Sequence, residues 1–344
     1  MSSDLALPDE WTSRAPEQSD VPDLQALVLR HERRARGGSS TALSAVMAEV
    51  AGAGAATRRH IVVSDHAGRV RAWATVHDRA AGRSLVAVVV DPDLPPTTAD
   101  PLARALFGWA TRTAEEIGAA RGLTSTQVDS GAFADDARQR RWLAEAGLEH
   151  VRSWWQMSRP VAPSEGEPGA FPAPAEGVTL RTVANEQGGM PLTSDLAAVH
   201  DVLETAFTDH FNYHEETFDE FVSRLREDPG HRWDHWWIAE ISDEPGASPR
   251  PAGALVGAVS PGTDGRADSS YVEYLGVLRS ARGRGVATSL LNAVIADAAQ
   301  RGRPSVGIEV DKDSPTGAAD LYVSMGFVTS YVTESWHRDL PIQP

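Results

Sequence analysis

A strand-like run, a short basic turn with two glycines and the start of an amphipathic helix follow one another in Leu275-Gly-Val-Leu-Arg-Ser-Ala-Arg-Gly-Arg-Gly-Val-Ala-Thr-Ser-Leu-Leu291. Gly283 and Gly285 lack a Cβ, so this turn can curl tightly and bring backbone N–H groups up to a ligand. Those donors, with the positive end of the helix dipole, suit a diphosphate. Arg279, Arg282 and Arg284 place three positive charges within six residues of a chain whose formal net charge is -16. Two nucleotide loops compete for the same residues. A triphosphate loop needs Lys-Ser/Thr after its second glycine, where Val286 and Ala287 stand. A dinucleotide fingerprint needs a third glycine where Thr288 stands, although Glu309 or Asp311 could supply its acidic residue, so that reading is weakened without being removed.

The pattern Leu-x-Val-x4-Arg-Gly-x-Gly-x-Ala, filled by Leu275, Val277, Arg282, Gly283, Gly285 and Ala287, resembles the acyl-CoA motif of the GNAT acetyltransferases. A second segment, Val310 to Phe327, resembles that family's V-x-x-x-N-x-x-A-x-x-L-Y-x-x-x-G-F, with Ser314 in place of the asparagine. Ser314 could still cap a helix that starts at Pro315. The resemblance implies acetyl-CoA as acyl donor, lying between two splayed strands. Leu275, Gly276 and Val277 would line it along one strand. Arg282, Gly283, Arg284, Gly285, Val286, Ala287 and Thr288 would hold its diphosphate. Backbone N–H groups of the strand would polarise the thioester carbonyl.

The same resemblance makes Tyr322 the general acid for the leaving thiolate, a role that suits a phenol. Without it, Tyr322 reads as a buried, hydrogen-bonded aromatic. Glu273 is the candidate base for the amine. Strand alternation would place Tyr271 and Leu275 on its face; the alternative is a glutamate paired with an arginine or facing water. Asp209, His210, Tyr213 and His214 lie between two predicted helices and are candidates for selecting the acceptor. The pairs His210/His214 and His231/His235 are each four apart, but no other metal signature accompanies them, and no metal is expected.

These residues need elements to position them. A Pro-, Gly-, Ala- and Glu-rich stretch at 162–177 reads as extended, solvated linker between residues 1–161 and 178–344. In the second half, periodicity predicts a strand at 178–183, helices at 195–207 and 216–226, and strands at 236–241, 253–259 and 271–278. A helix at 285–300, a strand at 305–310, a helix at 315–325 and a strand around 328–334 follow. The first half repeats this order: a helix at 21–31, strands at 60–64, 70–77 and 85–90, a helix at 100–120, a strand near 125–129, a helix at 136–146 and a strand at 151–158. Where the second half has its glycine-arginine turn, the first has Asp91 to Asp100, with prolines at 92, 95 and 96 and no arginine or glycine. Prolines remove donors and aspartates repel a diphosphate. The expected fold is α/β (α+β): two tandem GNAT-like domains, each a mixed, mostly antiparallel sheet flanked by helices, the first degenerate. This resembles mycothiol synthase and its tandem relatives, except that tyrosine stands at 271 where glutamate would be expected. Trp154, Trp155, Trp236 and Trp237 fall in strands and read as core.

Composition narrows the function classes. At 344 residues and 41% hydrophobic, the chain can build two cores. Its acidity disfavours nucleic acid and anionic lipid and favours a small-molecule amine. With no cysteine there is no disulfide and no thiolate site. No apolar run spans a bilayer, and residues 1–10 do not resemble a signal peptide, so a cytoplasmic protein, monomer or homodimer, is expected. The functional expectation is N-acyl transfer from acetyl-CoA to a primary amine; the alternative is a non-catalytic acyl-CoA-binding or interaction module.

Overall fold

The computed structural model describes residues 5–79, 82–186, 189–208, 213, 215–227, 230–244, 246–262, 265–313 and 317–342. The chain forms two compact units. One holds the residues up to Trp155, Glu227, and those from Tyr331 onward; the other holds Gln156–Arg226 and Gly230–Ser330.

The first unit runs β1 (Thr12–Arg14), α1 (Val21–Arg36), α2 (Leu43–Val50), β2 (Arg58–Ser64), β3 (Val70–Arg79), β4 (Arg83–Val90), α3 (Pro96–Ala120), β5 (Ser125–Phe133), α4 (Ala137–Glu145) and the start of β6 (Glu149–Pro160). Strands β1 to β4 pair antiparallel in sequence order, and β4 pairs parallel with β5. Alternation divides the apolar residues between two faces. Val62 and Trp73 pack with Leu24 and Leu27 of α1, whereas Val63, Ala72 and Ala74 pack with Leu102, Leu106 and Phe107 of α3.

The last strand of the chain, β12 (Val328–Pro341), is longer than its hydrophobic pattern indicates. Its residues Thr333–Pro341 pair antiparallel with Phe133–Ser125 of β5, and Trp336 and Leu340 enter the first unit's core.

The second unit contains β7 (Val178–Thr182), α5 (Thr193–Phe207), α6 (Phe218–Glu227), β8 (His231–Ile241), β9 (Arg250–Ser260), β10 (Ser269–Val277), α7 (Val286–Gln300), β11 (Ser305–Asp311) and α8 (Ala318–Ser324). Strands β7 to β10 are antiparallel neighbours, β10 and β11 are parallel, and β6 flanks β11. Helices α5 and α6 cover one face, where Leu203, Phe221 and Trp236 meet Ala254 and Val256. Helix α7 covers the other. It approaches closely enough that a Cβ on Gly253 would stand 2.6 Å from Val286 Cγ1. The stretch read as extended linker begins with a 3-10 turn at Pro163–Gly166, which docks on α7. Gln300 Nε2 donates to the Gly166 carbonyl at 3.1 Å, and Glu165 pairs with Arg159.

Trp336 is 8% exposed in a core that β12 completes. Trp336→Ala should destabilise the first unit by about 3–5 kcal/mol. Limited proteolysis should then cut first within the residues before Trp155, with those of the second unit protected.

Candidate active site

The site begins with one residue too many in β10. Val272 pairs with Gly257 of β9 and Tyr274 with Val256, so Glu273 is the extra residue of a β-bulge. A bulge of this kind bends the strand and reverses which residues face which side. Tyr271 pairs with Ala258, two residues from Val256 along β9, and so lies on the α5–α6 face. Tyr274 lies there too, against Phe207 at 6.4 Å between ring centroids. A Cβ on Gly276 would stand 2.9 Å from Leu203 Cδ2 of α5. Val277 instead pairs with Gly253 on the α7 side, and Leu275 shares that side. The expectation that Tyr271 and Leu275 flank Glu273 on one face is therefore corrected: the bulge sends Leu275 to the opposite face.

Past the bulge, β10 leaves its other neighbour. The parallel ladder joins Ser270–Val272 to Val306–Ile308 and ends there, although β10 continues to Val277 and β11 to Asp311. From Glu273 and Glu309 onward the two strands are unpaired with each other.

Beyond β10 the chain passes through a 3-10 turn at Arg279–Ala281 into α7. Gly283 and Gly285 have φ values of 77° and 74°, a region L side chains avoid, and no atom lies within 4 Å of where either Cβ would be. Gly285 is the N-cap residue, and it brings no side chain to satisfy the first amides of α7. Open space, free-pointing amides and a helix N-terminus are what an anionic group needs. Arg282 is exposed beside the turn. The Arg284 guanidinium is committed elsewhere, to Asp243 Oδ1 at 2.8 Å and the Ser242 carbonyl at 3.1 Å. Its contribution to the turn is its backbone.

On the α5–α6 face the structure brings in residues that sequence reasoning passed over. Arg224 of α6 donates to both oxygens of Glu216, at 2.8 and 2.6 Å, and to the Tyr274 hydroxyl at 2.7 Å. Burial opposes its charge, yet Glu216, Tyr274 and Glu273 together hold the guanidinium above its ordinary value. Glu273 thus lies within electrostatic reach of Arg224, and its Oε2 is buried from water. In the sequence Arg224 is a last-turn helix charge and nothing local marks it.

Tyr213 donates to Glu204 Oε2 at 2.7 Å, and this bond raises its phenol to about 12. Asp209, His210 and His214, also expected to shape the acceptor side, lie outside the described residues, as does Ser314. Tyr322 of α8 is 6% exposed. Burial pushes its hydroxyl up to about 12, so it keeps its proton at any physiological pH. His235 is buried and bonds Asp234, 2.7 Å away. The His231 ring packs edge-on against Trp233 and Trp236, at 4.3 and 5.3 Å.

The first unit repeats this frame with the opening filled. Its β4 pairs with β3 in unbroken register, and the β4–β5 ladder ends at Val86 with Ser130. The β4 carbonyls beyond that point are taken by α4: Gln139 Nε2 donates to Val88 at 3.2 Å and Arg138 Nη2 to Val90 at 3.3 Å. Asp91 follows, 1% exposed, with Arg71 at 3.0 Å and Arg30 at 3.4 Å on its Oδ2. Aligning Gly147-Leu148 with Gly326-Phe327 puts Leu143 at the position of Tyr322.

Residues 196–327 match the Acetyltransferase (GNAT) family. That match lies wholly within the second half of the chain. The whole chain superposes on a GCN5-related N-acetyltransferase from Sphaerobacter thermophilus with a TM-score of 0.72 and 25% identity, covering 98% of each. A tandem GNAT protein from the clavulanic acid biosynthesis pathway shares the fold at a TM-score of 0.67 and 14% identity, over 97% of this chain and 99% of that one. N-myristoyltransferase from Saccharomyces cerevisiae shares it at 0.56 and 11%, over 97% and 80%. The protein thus shares the fold of these tandem GNAT structures, as expected from its sequence.

The buried rings make the protein acid-sensitive in a defined window. Desolvation, the largest cause, pulls His231 down to about 4. The unfolded chain binds that proton near pH 6.5, so the stability from a neutral His231 is present above pH 6.5 and lost as pH falls toward 4. The unfolding midpoint measured across this window should fall, and His231→Phe should flatten the decline.

Proposed function

We propose that the protein is an N-acyltransferase that moves an acetyl group from acetyl-CoA to a primary amine. The observation that carries this reading is the divergence of β10 from β11 at a bulge, followed by an open two-glycine turn at the start of α7. The residues present fit the donor: a Cβ at Gly283 or Gly285 would occupy the space that a diphosphate needs, and neither position has one. Gly283, Gly285 and the first amides of α7, at Val286, Ala287 and Thr288, hold the diphosphate, with Arg282 adding charge. The unpaired edge of β10 at Leu275–Val277 takes the pantetheine arm.

The acyl donor supplies an electrophilic thioester carbonyl. Backbone N–H groups of β10 stabilise the oxygen as it gains charge. Glu273 takes the proton of the attacking amine, directly or through water. As the new C–N bond forms and the C–S bond breaks, the Tyr322 hydroxyl donates its proton to the departing sulfur, giving an amide and free coenzyme thiol. Solvent then receives the proton on Glu273 and returns one to Tyr322. Arg224 holds Tyr274 and, through Glu216, the end of the α5–α6 connection that borders the acceptor. The first unit lacks the bulge and the tyrosine and fills its opening with Gln139 and Arg138. It binds no donor, so one coenzyme binds per chain.

Calorimetry with acetyl-CoA should give a stoichiometry of one, and Gly285→Trp should abolish the heat. A stoichiometry of two would refute the filled first unit. Thiol release in the presence of primary amines should be measurable, and Tyr322→Phe should lower kcat by roughly a hundredfold or more with donor affinity retained. Unchanged turnover in that variant would remove Tyr322 from the mechanism. Donor binding with no thiol release for any amine would make the protein a binding module.

A further inference from the structure

A second carboxylate faces Glu273 across the opening. The last parallel rung joins Val272 to Ile308, so Glu309 is the first residue past it on β11, as Glu273 is on β10. Gly307, two residues earlier, pairs with Tyr271, and a Cβ there would stand 2.9 Å from Tyr271 Cδ2. Gly307 therefore sits beneath the Tyr271 ring on the α5–α6 face, and alternation puts Glu309 on that face as well.

The partners of Glu309 differ from those of several acidic residues of this unit. Glu216 is paired with Arg224, Asp195 with Arg181, Glu165 with Arg159 and Glu240 with Arg181. Glu309 accepts from the neutral Gln156 Nε2, and among the described residues no cation pairs with it. Its side chain is open to solvent, yet the protein around it desolvates the carboxyl enough to push it up. A carboxylate in such a place is stabilised most by an arriving cation. The Tyr271 ring beside it offers an apolar wall to a methylene chain and a π face to an ammonium.

The first unit gives an internal comparison. Its last rung, Val86 with Ser130, is followed by Ala87 on β4 and Gly131 on β5. Both carboxylates are missing from the first unit, whose opening is filled, and both are present in the second.

We propose that Glu309 binds a second cationic group of the acceptor, so that the substrate is a diamine or an aminoalkyl guanidine acylated at the nitrogen nearest Glu273. This rests on the acyl-transfer reading above and narrows its acceptor. The test is a calorimetric titration of the coenzyme-A-saturated protein with α,ω-diaminoalkanes of three to five carbons. Matched monoamines, amino alcohols and amino acids of equal chain length serve as comparisons. At least one diamine should bind about tenfold or more tightly than its matched monoamine, amino alcohol and amino acid. Glu309→Gln keeps the shape and a polar contact to Gln156; it should erase that preference while leaving acetyl-CoA and monoamine affinity unchanged. Glu309→Asp should restore part of the preference. The proposal is overturned if no diamine binds, if the amino alcohol binds the unmodified protein as tightly, or if Glu309→Gln binds the diamine undiminished. Thiol release with the same diamines is read separately. Glu309-dependent binding without turnover would uphold this inference and sink the acyl-transfer reading.

Discussion

Strand β10 has one residue more than β9 can pair, and the second unit is organised around that mismatch. A regular strand would have kept Leu275 with Tyr271 and set Gly276 against α7. With Glu273 extruded, Gly276 turns to α5, where only a residue without a Cβ fits against Leu203. Tyr274 turns to α6, where Arg224 meets its hydroxyl. The same bend ends the parallel ladder at Val272 and Ile308, leaving β10 and β11 to separate. Orphaned strand groups buried in a domain are costly, so a separation of this kind persists where something else satisfies the edge.

What satisfies it differs between the two units. In the first, side chains of α4 reach the carbonyls of Val88 and Val90, and the buried Asp91 gathers Arg30 and Arg71 at the strand end. The second unit has Gly317 and Ala318 where α4 carries Arg138 and Gln139, too small to reach across. A fold that splits its sheet must fill the split from within or leave it for a ligand. The first unit fills it, and two side chains on one helix together with the extra residue in β10 mark the difference between the units.

The two-glycine turn was legible in the sequence because its determinants are local. Two glycines with left-handed φ, a helix start and an amphipathic period lie within a dozen consecutive residues, and no distant contact is needed to recognise them. The bulge was not legible, since Tyr271 to Val277 alternates plausibly on its own and only the pairing with β9 exposes the surplus residue. The role of Arg224 was hidden for the same reason: its partners are at 216 and 274, brought together by packing. Arg284 was misleading in the opposite sense, because a basic residue inside a phosphate-like turn turned out to reach Asp243 and Ser242 with its side chain. Strand β12 was underestimated because Trp336 and Leu340 bury themselves against elements of the first unit, two hundred residues away in sequence, so its pattern had no local partner to predict.

Charge is distributed along the second unit in the same sense as the proposed chemistry. Arg279, Arg282 and the helix N-terminus gather at the far end of the β10–β11 split, and the glutamates at 273 and 309 stand at its origin. An anion and a cation entering this split would be drawn to opposite ends of it. In a chain of net charge -16, carboxylates are plentiful and only their placement is informative. Glu216, Asp195 and Glu240 are each matched by an arginine, which neutralises them. A carboxylate left with an amide partner at the point where the sheet opens needs a reason, and a cationic acceptor supplies one that packing does not.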